Sequence, residues 1–102
     1  MDTKEATAIA KKYAELVAQE MKPNAIVLYG STAYGTRRDD SDIDVAVIFD
    51  KFEGDWHKTT VQLYNLRQTI SNYVEPLLRV RSKDKSGFVE EILRTGKVLF
   101  ER

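Results

Sequence analysis

A glycine-serine turn and a pair of aspartates, each next to an apolar run, constrain this chain more than any other feature. Residues 28–49 read LYGSTAYGTRRDDSDIDVAVIF, so that Gly30-Ser31 is followed by ten residues and then by Asp42-Ile43-Asp44. The β-branched and apolar residues that flank the motif favour strands. We therefore expect a strand, a tight turn, a polar loop and a second strand, in that order.

Asp42 and Asp44 are one residue apart in a run that is typical of a strand. Side chains alternate between the two faces of a strand, so both carboxylates are expected on one face. Two such groups repel each other unless a cation lies between them. Hard oxygen ligands of this kind suit Mg²⁺, which proteins usually hold with one or two carboxylates together with substrate phosphates. Two Mg²⁺ ions here would serve a phosphoryl or nucleotidyl transfer.

The turn before the aspartates has the features of a phosphate site. Gly30 lets the backbone bend and lets a phosphate come close. Ser31 adds a hydroxyl donor, and we expect it to cap a short helix whose first amides point at a bound anion. Arg37 and Arg38 lie in the loop that follows, where they either reach phosphates or form a solvated pair. We predict nucleotide binding at these four residues.

A third acid, Glu75, lies among apolar neighbours in a later predicted strand. A carboxylate near the first two would complete a two-metal site, and it could also accept the proton of an attacking hydroxyl. The alternative is that Glu75 is an ordinary strand-end residue before Pro76. The candidate catalytic and metal-binding set is therefore Asp42, Asp44 and Glu75.

Hydrophobic periodicity predicts alternating helices and strands in the rest of the chain. The helices are predicted at residues 3–21, 56–72 and 83–94, and the strands at residues 25–29, 43–49, 73–80 and 97–101. Gly96 is the expected end of the last helix. Tyr29, Tyr64 and Tyr73 are expected in the core. This alternation predicts an α/β (α+β) fold with a mixed sheet of three to four strands and helices packed on it.

Length and composition favour one domain over residues 1–102, because 42% hydrophobic residues are enough for one core but not for two. Sixteen basic and sixteen acidic residues balance, so no overall field draws the chain to nucleic acid or to an anionic membrane. The chain has no cysteine, which fits a reducing compartment. The N-terminus has no long apolar run, so neither a signal peptide nor a membrane span is expected there. We expect a cytoplasmic protein.

The segment from Gly30-Ser31 to Ser41-Asp42-Ile43-Asp44 resembles the signature of the minimal nucleotidyltransferases, which belong to the polymerase-beta-like superfamily. The resemblance covers nearly the whole chain and implies the small nucleotidyltransferase fold, with ATP as substrate and Mg²⁺ as cofactor. It also implies a third acid from a later strand, most often aspartate, for which Glu75 is the candidate here. Many minimal nucleotidyltransferases carry arginine in the segment that follows the Gly-Ser pair, where this chain has Thr32 and Tyr34.

The same resemblance implies a partner and a biological role. Stand-alone proteins of this family are often paired with a helical HEPN protein, a ribonuclease toxin, and they transfer AMP from ATP to one of its tyrosines. We therefore expect an antitoxin of this kind. The alternatives are a binding module that neutralises its partner by contact alone and a transferase that acts on a small molecule. Direct nucleic-acid binding is not expected because the chain has no basic stripe. An exposed strand edge could pair two copies.

Overall fold

The computed structural model describes residues 1–102, which form four helices, four strands and one short 3₁₀ turn. In chain order these are α1 (Thr3–Met21), β1 (Ala25–Tyr29), α2 (Ser31–Tyr34), β2 (Ile43–Phe49), α3 (Trp56–Arg67), β3 (Val74–Val80), the 3₁₀ turn (Arg81–Lys83), α4 (Phe88–Thr95) and β4 (Lys97–Glu101). The predicted bounds of the first helix and of β1, β2 and β4 are confirmed.

Local chemistry explains the limits of α1. The Asp2 side chain accepts a hydrogen bond of 2.8 Å from the Glu5 amide, which satisfies one of the free N–H groups of the first turn. At the other end Lys22 adopts the left-handed conformation and Pro23 follows, so the helix cannot continue. Between these ends the helix buries Ala6, Ala10, Tyr13, Ala14 and Val17, at the spacing of one helical face.

The four strands form one mixed sheet in the order β3-β2-β1-β4. β1 pairs with β2 and with β4 in antiparallel fashion, whereas β2 and β3 run parallel. Parallel neighbours need a crossover connection, which α3 supplies here. The predicted class, an α/β domain with a mixed sheet and helices packed on it, is confirmed.

The alternation along β2 divides the apolar residues between two faces of the sheet. Ile43, Val45 and Val47 belong to the core that α1 and α3 cover. Ala46 and Ile48 belong to a second, smaller core with Val89 and Ile92 of α4. Because side chains of the same parity share a face, Asp42 and Asp44 lie on the α4 side. The site is therefore built on the less covered face of the sheet.

Two helices are shorter than predicted. The third helix ends at Arg67 rather than at residue 72, since the Arg67 carbonyl accepts from both Ile70 and Ser71 in a tight turn. The last helix begins at Phe88 rather than at residue 83, because Gly87 is left-handed and the Asp84 carboxylate accepts from the Val89 amide at 2.8 Å. The third strand begins at Val74, one residue later than predicted.

Gly96 ends α4 as predicted, but in an extended conformation rather than a left-handed one. A Cβ atom at this position would lie 2.7 Å from the Leu28 carbonyl oxygen and 2.7 Å from Val27 Cγ1. The glycine is therefore needed for the close approach of the chain to β1.

The prediction that Tyr73 and Tyr64 are core residues is wrong. Tyr73 is exposed, and the partly exposed Tyr64 points its hydroxyl at a carboxylate. The fully buried tyrosine is Tyr13, whose hydroxyl donates to the Leu63 carbonyl at 2.8 Å and so joins α1 to α3. Burial raises the pKa of the Tyr13 phenol far above its ordinary value.

None of the helices combines the length and the apolarity that crossing a membrane requires.

Candidate active site

Gly30 lies directly against the Asp44 carboxylate in the candidate site. Asp44 is the β2 partner of Tyr29, the residue that precedes Gly30 at the end of β1. A Cβ atom on Gly30 would lie only 2.3 Å from Asp44 Oδ2. Gly30 also has φ 74° and ψ −156°, a conformation that only glycine adopts readily. The fold thus presses one carboxylate of the aspartate pair against the turn that was predicted to bind phosphate.

The turn continues into α2, a single helical turn in which Gly30 is the N-cap residue and Ser31 is the first helical residue. The prediction that Ser31 caps this helix is wrong, since no side chain does so. The Tyr34 amide donates to the Gly30 carbonyl at 3.1 Å, and the Thr36 amide donates to the Ser31 carbonyl at 2.9 Å. The Ser31 hydroxyl is therefore not used as a cap and remains a candidate donor to an anion.

The three candidate acids come from neighbouring strands. In the parallel pairing of β2 and β3, Asp44 lies opposite Glu75, and Asp42 immediately precedes β2. Burial raises the pKa of the Asp44 carboxyl, and the negative charges of Asp42 and Glu75 raise it further. The structure thus brings all three acids within electrostatic reach of one another, which the sequence motif had predicted for Asp42 and Asp44.

Glu75, however, is drawn toward α3. The Tyr64 hydroxyl donates to Glu75 Oε1 at 2.5 Å, and Arg67 Nη1 lies 4.0 Å from Glu75 Oε2. Glu75 raises the pKa of the Tyr64 phenol, chiefly because the hydrogen bond favours the protonated form. No three His, Cys, Asp or Glu side chains are arranged to hold a metal ion. The three acids therefore do not converge on one point in this conformation.

Asp42 and Asp44 nevertheless fit a hard divalent cation. Burial raises the pKa of Asp44 most, and repulsion from Asp42 and Glu75 raises it further; a cation between the carboxylates would oppose both effects. The Gly30 cradle holds the Asp44 carboxylate at the turn where phosphate oxygens would share such an ion. Carboxylates next to a phosphate site are the usual protein ligands of Mg²⁺.

The two arginines predicted to bind nucleotide lie in different surroundings. Arg37 donates from Nη1 to the Met1 carbonyl at 2.6 Å and from Nη2 to the Ser41 carbonyl at 2.7 Å. Its Nε donates to the hydroxyl of buried Thr32 at 3.3 Å. The Arg37 guanidinium thus ties the loop to the start of the chain. Arg38 is exposed and forms no such side-chain contacts. A nucleotide contact stays a prediction for both residues.

Three residues near the site carried no prediction of a role there: Tyr29, Phe88 and Arg79. The Tyr29 and Phe88 rings pack edge to face at 5.6 Å, and the Arg79 guanidinium lies 5.4 Å from the Phe88 centroid. Burial, together with Asp44, raises the pKa of Tyr29 to about 12, while Arg79 opposes this shift. The alternation of Glu75, Leu77 and Arg79 along β3 could have indicated that Arg79 and Glu75 share a face.

The fold and this motif define a class of protein. The family model described as "Polymerase beta, Nucleotidyltransferase" matches residues 11–102. The chain therefore belongs to the polymerase beta nucleotidyltransferase family, and the predicted membership of that superfamily is confirmed. No curated protein matches the sequence.

Two solved structures share the fold. A putative nucleotidyltransferase from Sulfolobus solfataricus is 19% identical, with a TM-score of 0.69, over 98% of this chain and 84% of that chain. A mutant of the toxin-antitoxin MntA-HpeT is 18% identical, with a TM-score of 0.63, over 90% of this chain and 73% of that chain. At this level of identity the likeness concerns the fold.

Proposed function

We propose that this chain is a Mg²⁺-dependent adenylyltransferase that moves AMP from ATP to a tyrosine hydroxyl of a HEPN-family ribonuclease toxin and so acts as its antitoxin. The proposal places the nucleotidyltransferase domain at residues 1–102. In it Asp42 and Asp44 hold the metal, Glu75 is the third acid, and Gly30, Ser31, Arg37 and Arg38 meet the nucleotide.

The contact between Gly30 and Asp44 carries this proposal. It puts a carboxylate that is suited to Mg²⁺ beside the turn that is suited to phosphate. Burial and the negative charges of Asp42 and Glu75 together raise the pKa of Asp44, and a cation bound there would stabilise its ionised form. Such a transfer depends mainly on positioning and on neutralisation of charge, so a small domain can supply what it needs.

The proposed step is a displacement at the α-phosphorus of ATP. The oxygen of the acceptor hydroxyl forms a bond to that phosphorus, and the bond from the α-phosphorus to the oxygen that bridges to the β-phosphorus breaks. Pyrophosphate leaves with the electron pair. The hydroxyl proton passes to the Glu75 carboxylate, which is the role of a general base. When bound, Mg²⁺ would neutralise phosphate charge.

The proposed partner is supported by likeness of fold rather than by a contact in this structure. A solved structure of the toxin-antitoxin MntA-HpeT shares this fold over 90% of this chain. The proposed function needs an acceptor hydroxyl, which a second protein would bring. A HEPN toxin would meet that need.

The test is to incubate the protein with ATP, Mg²⁺ and the protein encoded beside it, and to read intact masses. We expect one added AMP on the partner with wild type and none with Asp42→Asn/Asp44→Asn. The matched control is Asp39→Asn/Asp40→Asn, which removes the same charge from exposed positions of the loop that precedes β2. This control should transfer AMP normally.

One observation favours a second candidate, a binding module without catalysis. Glu75 is engaged by Tyr64 and Arg67, and no three-acid metal cluster is formed. A tight complex that forms with wild type and with Asp42→Asn/Asp44→Asn alike, with no change of mass on the partner, would favour the binding module over the transferase.

A further inference from the structure

A cationic pocket opens at the end of β3, beyond the candidate active site. It has a volume of about 300 Å³, and seven residues line it: Trp56, Arg79, Val80, Lys83, Asp84, Lys85 and Ser86. The indole of Trp56 is 46% exposed. An aromatic surface together with three cations in a concave site is typical of a place that binds an anionic group.

The cations of this pocket have no acidic partner. Arg79, Lys83 and Lys85 form no ion pair, whereas the neighbouring Arg81 pairs with Asp50 and Glu90. Asp84 is the one acid in the lining, and it is committed to the start of α4. Its carboxylate accepts from the Val89 amide at 2.8 Å and from the Ser86 hydroxyl at 3.0 Å. Three cations and one carboxylate leave the pocket lining with an excess of positive charge, although the chain as a whole is neutral.

Arg79 connects the pocket to the candidate active site. It follows Glu75 by four residues on β3 and shares its face, a separation of about 13 Å at ~3.3 Å per residue. Its guanidinium lies over the Phe88 ring, which packs on Tyr29. The charges of Asp44 and Arg79 both act on the pKa of Tyr29, which Asp44 raises and Arg79 lowers. Contacts through Phe88 and Tyr29 thus join Arg79 of the pocket to the candidate site.

The pocket does not suit the nucleotide of the proposed function. The triphosphate would occupy the turn at Gly30 and Ser31, and the remaining part of a nucleoside triphosphate is an uncharged base and sugar. An uncharged base and sugar carry no negative charge that three cations could pair with. The other reactant, by contrast, must bring its hydroxyl to Glu75 and can then extend along β3 toward Arg79.

We propose that this pocket binds an acidic peptide segment of the acceptor protein. The segment carries carboxylates about four extended residues from the reacting hydroxyl, because four residues span about 13 Å. Arg79 binds the nearest of these carboxylates and Lys83 and Lys85 bind those beyond it. Trp56 packs on the stems of the acidic side chains. The inference rests on the proposed function. It adds that the enzyme selects acceptor proteins with carboxylates at this distance from the reacting hydroxyl.

The test uses two short fluorescein-labelled peptides, followed by fluorescence anisotropy at low salt without nucleotide. One has a tyrosine and, about four residues away, a pair of glutamates; the other has glutamines in their place. We expect wild type to bind the glutamate peptide about tenfold more tightly. Lys83→Glu/Lys85→Glu should abolish this preference. Lys83→Gln/Lys85→Gln, which removes the positive charges without adding negative ones, should reduce the preference. This variant keeps the test valid if Lys83→Glu/Lys85→Glu misfolds.

The matched control is Lys11→Glu/Lys12→Glu, which makes the same change of charge at exposed positions of α1 and should retain the preference. Equal affinity of wild type for the two peptides would overturn the proposal. So would a loss of binding to a fluorescent ATP analogue in Lys83→Glu/Lys85→Glu with peptide binding intact, because the pocket would then belong to the nucleotide. The peptide experiment measures binding without turnover. Selective binding of the glutamate peptide would therefore support the pocket even if mass spectrometry found no AMP transfer. A lack of AMP transfer would count against the proposed function alone.

Discussion

The Tyr64 hydroxyl donates a hydrogen bond of 2.5 Å to Glu75 Oε1, and this bond ties the third acid of the candidate site to α3. Arg67, three residues further along the same helix, lies over the Tyr64 ring at 4.8 Å and donates to the Val74 carbonyl at 2.9 Å. One helical face thus holds the beginning of β3. Because the same carboxylate is proposed as the general base, Tyr64 influences whether Glu75 faces the aspartates.

Tyr64→Phe is expected to lower the free energy of unfolding by about 1 kcal/mol, because it removes a hydrogen bond to a charged group near the surface. It should also tighten Mg²⁺ binding, since Glu75 becomes free to turn toward Asp42 and Asp44. Urea denaturation and calorimetric titration with Mg²⁺ would measure the two effects. The control is Tyr73→Phe, at an exposed tyrosine, which should change neither. Weaker Mg²⁺ binding in Tyr64→Phe would contradict this account.

Gly30→Ala is expected to abolish Mg²⁺-dependent nucleotide binding and to destabilise the fold by about 1–3 kcal/mol. The new Cβ would collide with Asp44 Oδ2, and the backbone conformation at Gly30 excludes other residues. Gly35→Ala is the comparison, since Gly35 also has positive φ but a Cβ atom there would meet no other atom within 4 Å. It should cost about 1–2 kcal/mol from strain alone and should leave nucleotide binding intact. Denaturation curves and titration with an ATP analogue would separate the two variants.

Asp44→Asn is expected to raise the melting temperature at neutral pH and low salt by a few degrees. The raised pKa of Asp44 means that folding favours its protonated form, so its ionisation destabilises the protein as pH rises through the folded pKa. The amide removes that charge. Mg²⁺ should stabilise wild type and have little effect on Asp44→Asn, which thermal denaturation with and without Mg²⁺ would show. A lower melting temperature for Asp44→Asn would contradict a destabilising charge at Asp44.

Arg37→Ala is expected to destabilise the protein by about 1–3 kcal/mol, because it leaves the Met1 and Ser41 carbonyls without their donor. Arg38→Ala should stay within about 0.5 kcal/mol of wild type, since its side chain is exposed. If Arg38 meets the phosphates, its loss should weaken ATP binding with no change in stability. Chemical denaturation together with ATP titration of the two variants distinguishes a structural arginine from a ligand-binding one.

Stability is expected to fall above about pH 10 as the tyrosines ionise. Burial raises the pKa of Tyr29 to about 12 in the folded protein, so folding favours the neutral phenol. A raised folded pKa gives stability that is complete below the unfolded pKa and is lost as pH rises through the folded value. Melting temperatures between pH 8 and about 11.5 should decline less steeply in Tyr29→Phe than in wild type. Identical slopes would contradict a role for Tyr29.

Much of the fold could be predicted from local patterns. The limits of α1, β1 and β2 follow from the Asp2 cap, from Pro23 and from runs of β-branched residues, all of which act within a few positions along the chain. The aspartate pair and the Gly-Ser turn could be read in the same way, because a period of two places Asp42 and Asp44 on one face. The shortened α3 and α4 were not predicted, because hydrogen bonds of the Arg67 carbonyl and of the Asp84 carboxylate end the helices where the hydrophobic period alone favours their continuation.

By itself the sequence determined the order of the elements and the chemical types brought to the site, because caps, turns and hydrophobic periods are local properties. Only the tertiary structure decided that Asp44 presses on Gly30, that Glu75 is held by Tyr64, and that Arg79 lies between the acids and a cationic pocket. These relations depend on strand register and on which helix covers which edge of the sheet. Strand register pairs residues far apart in the chain, and no local pattern encodes it.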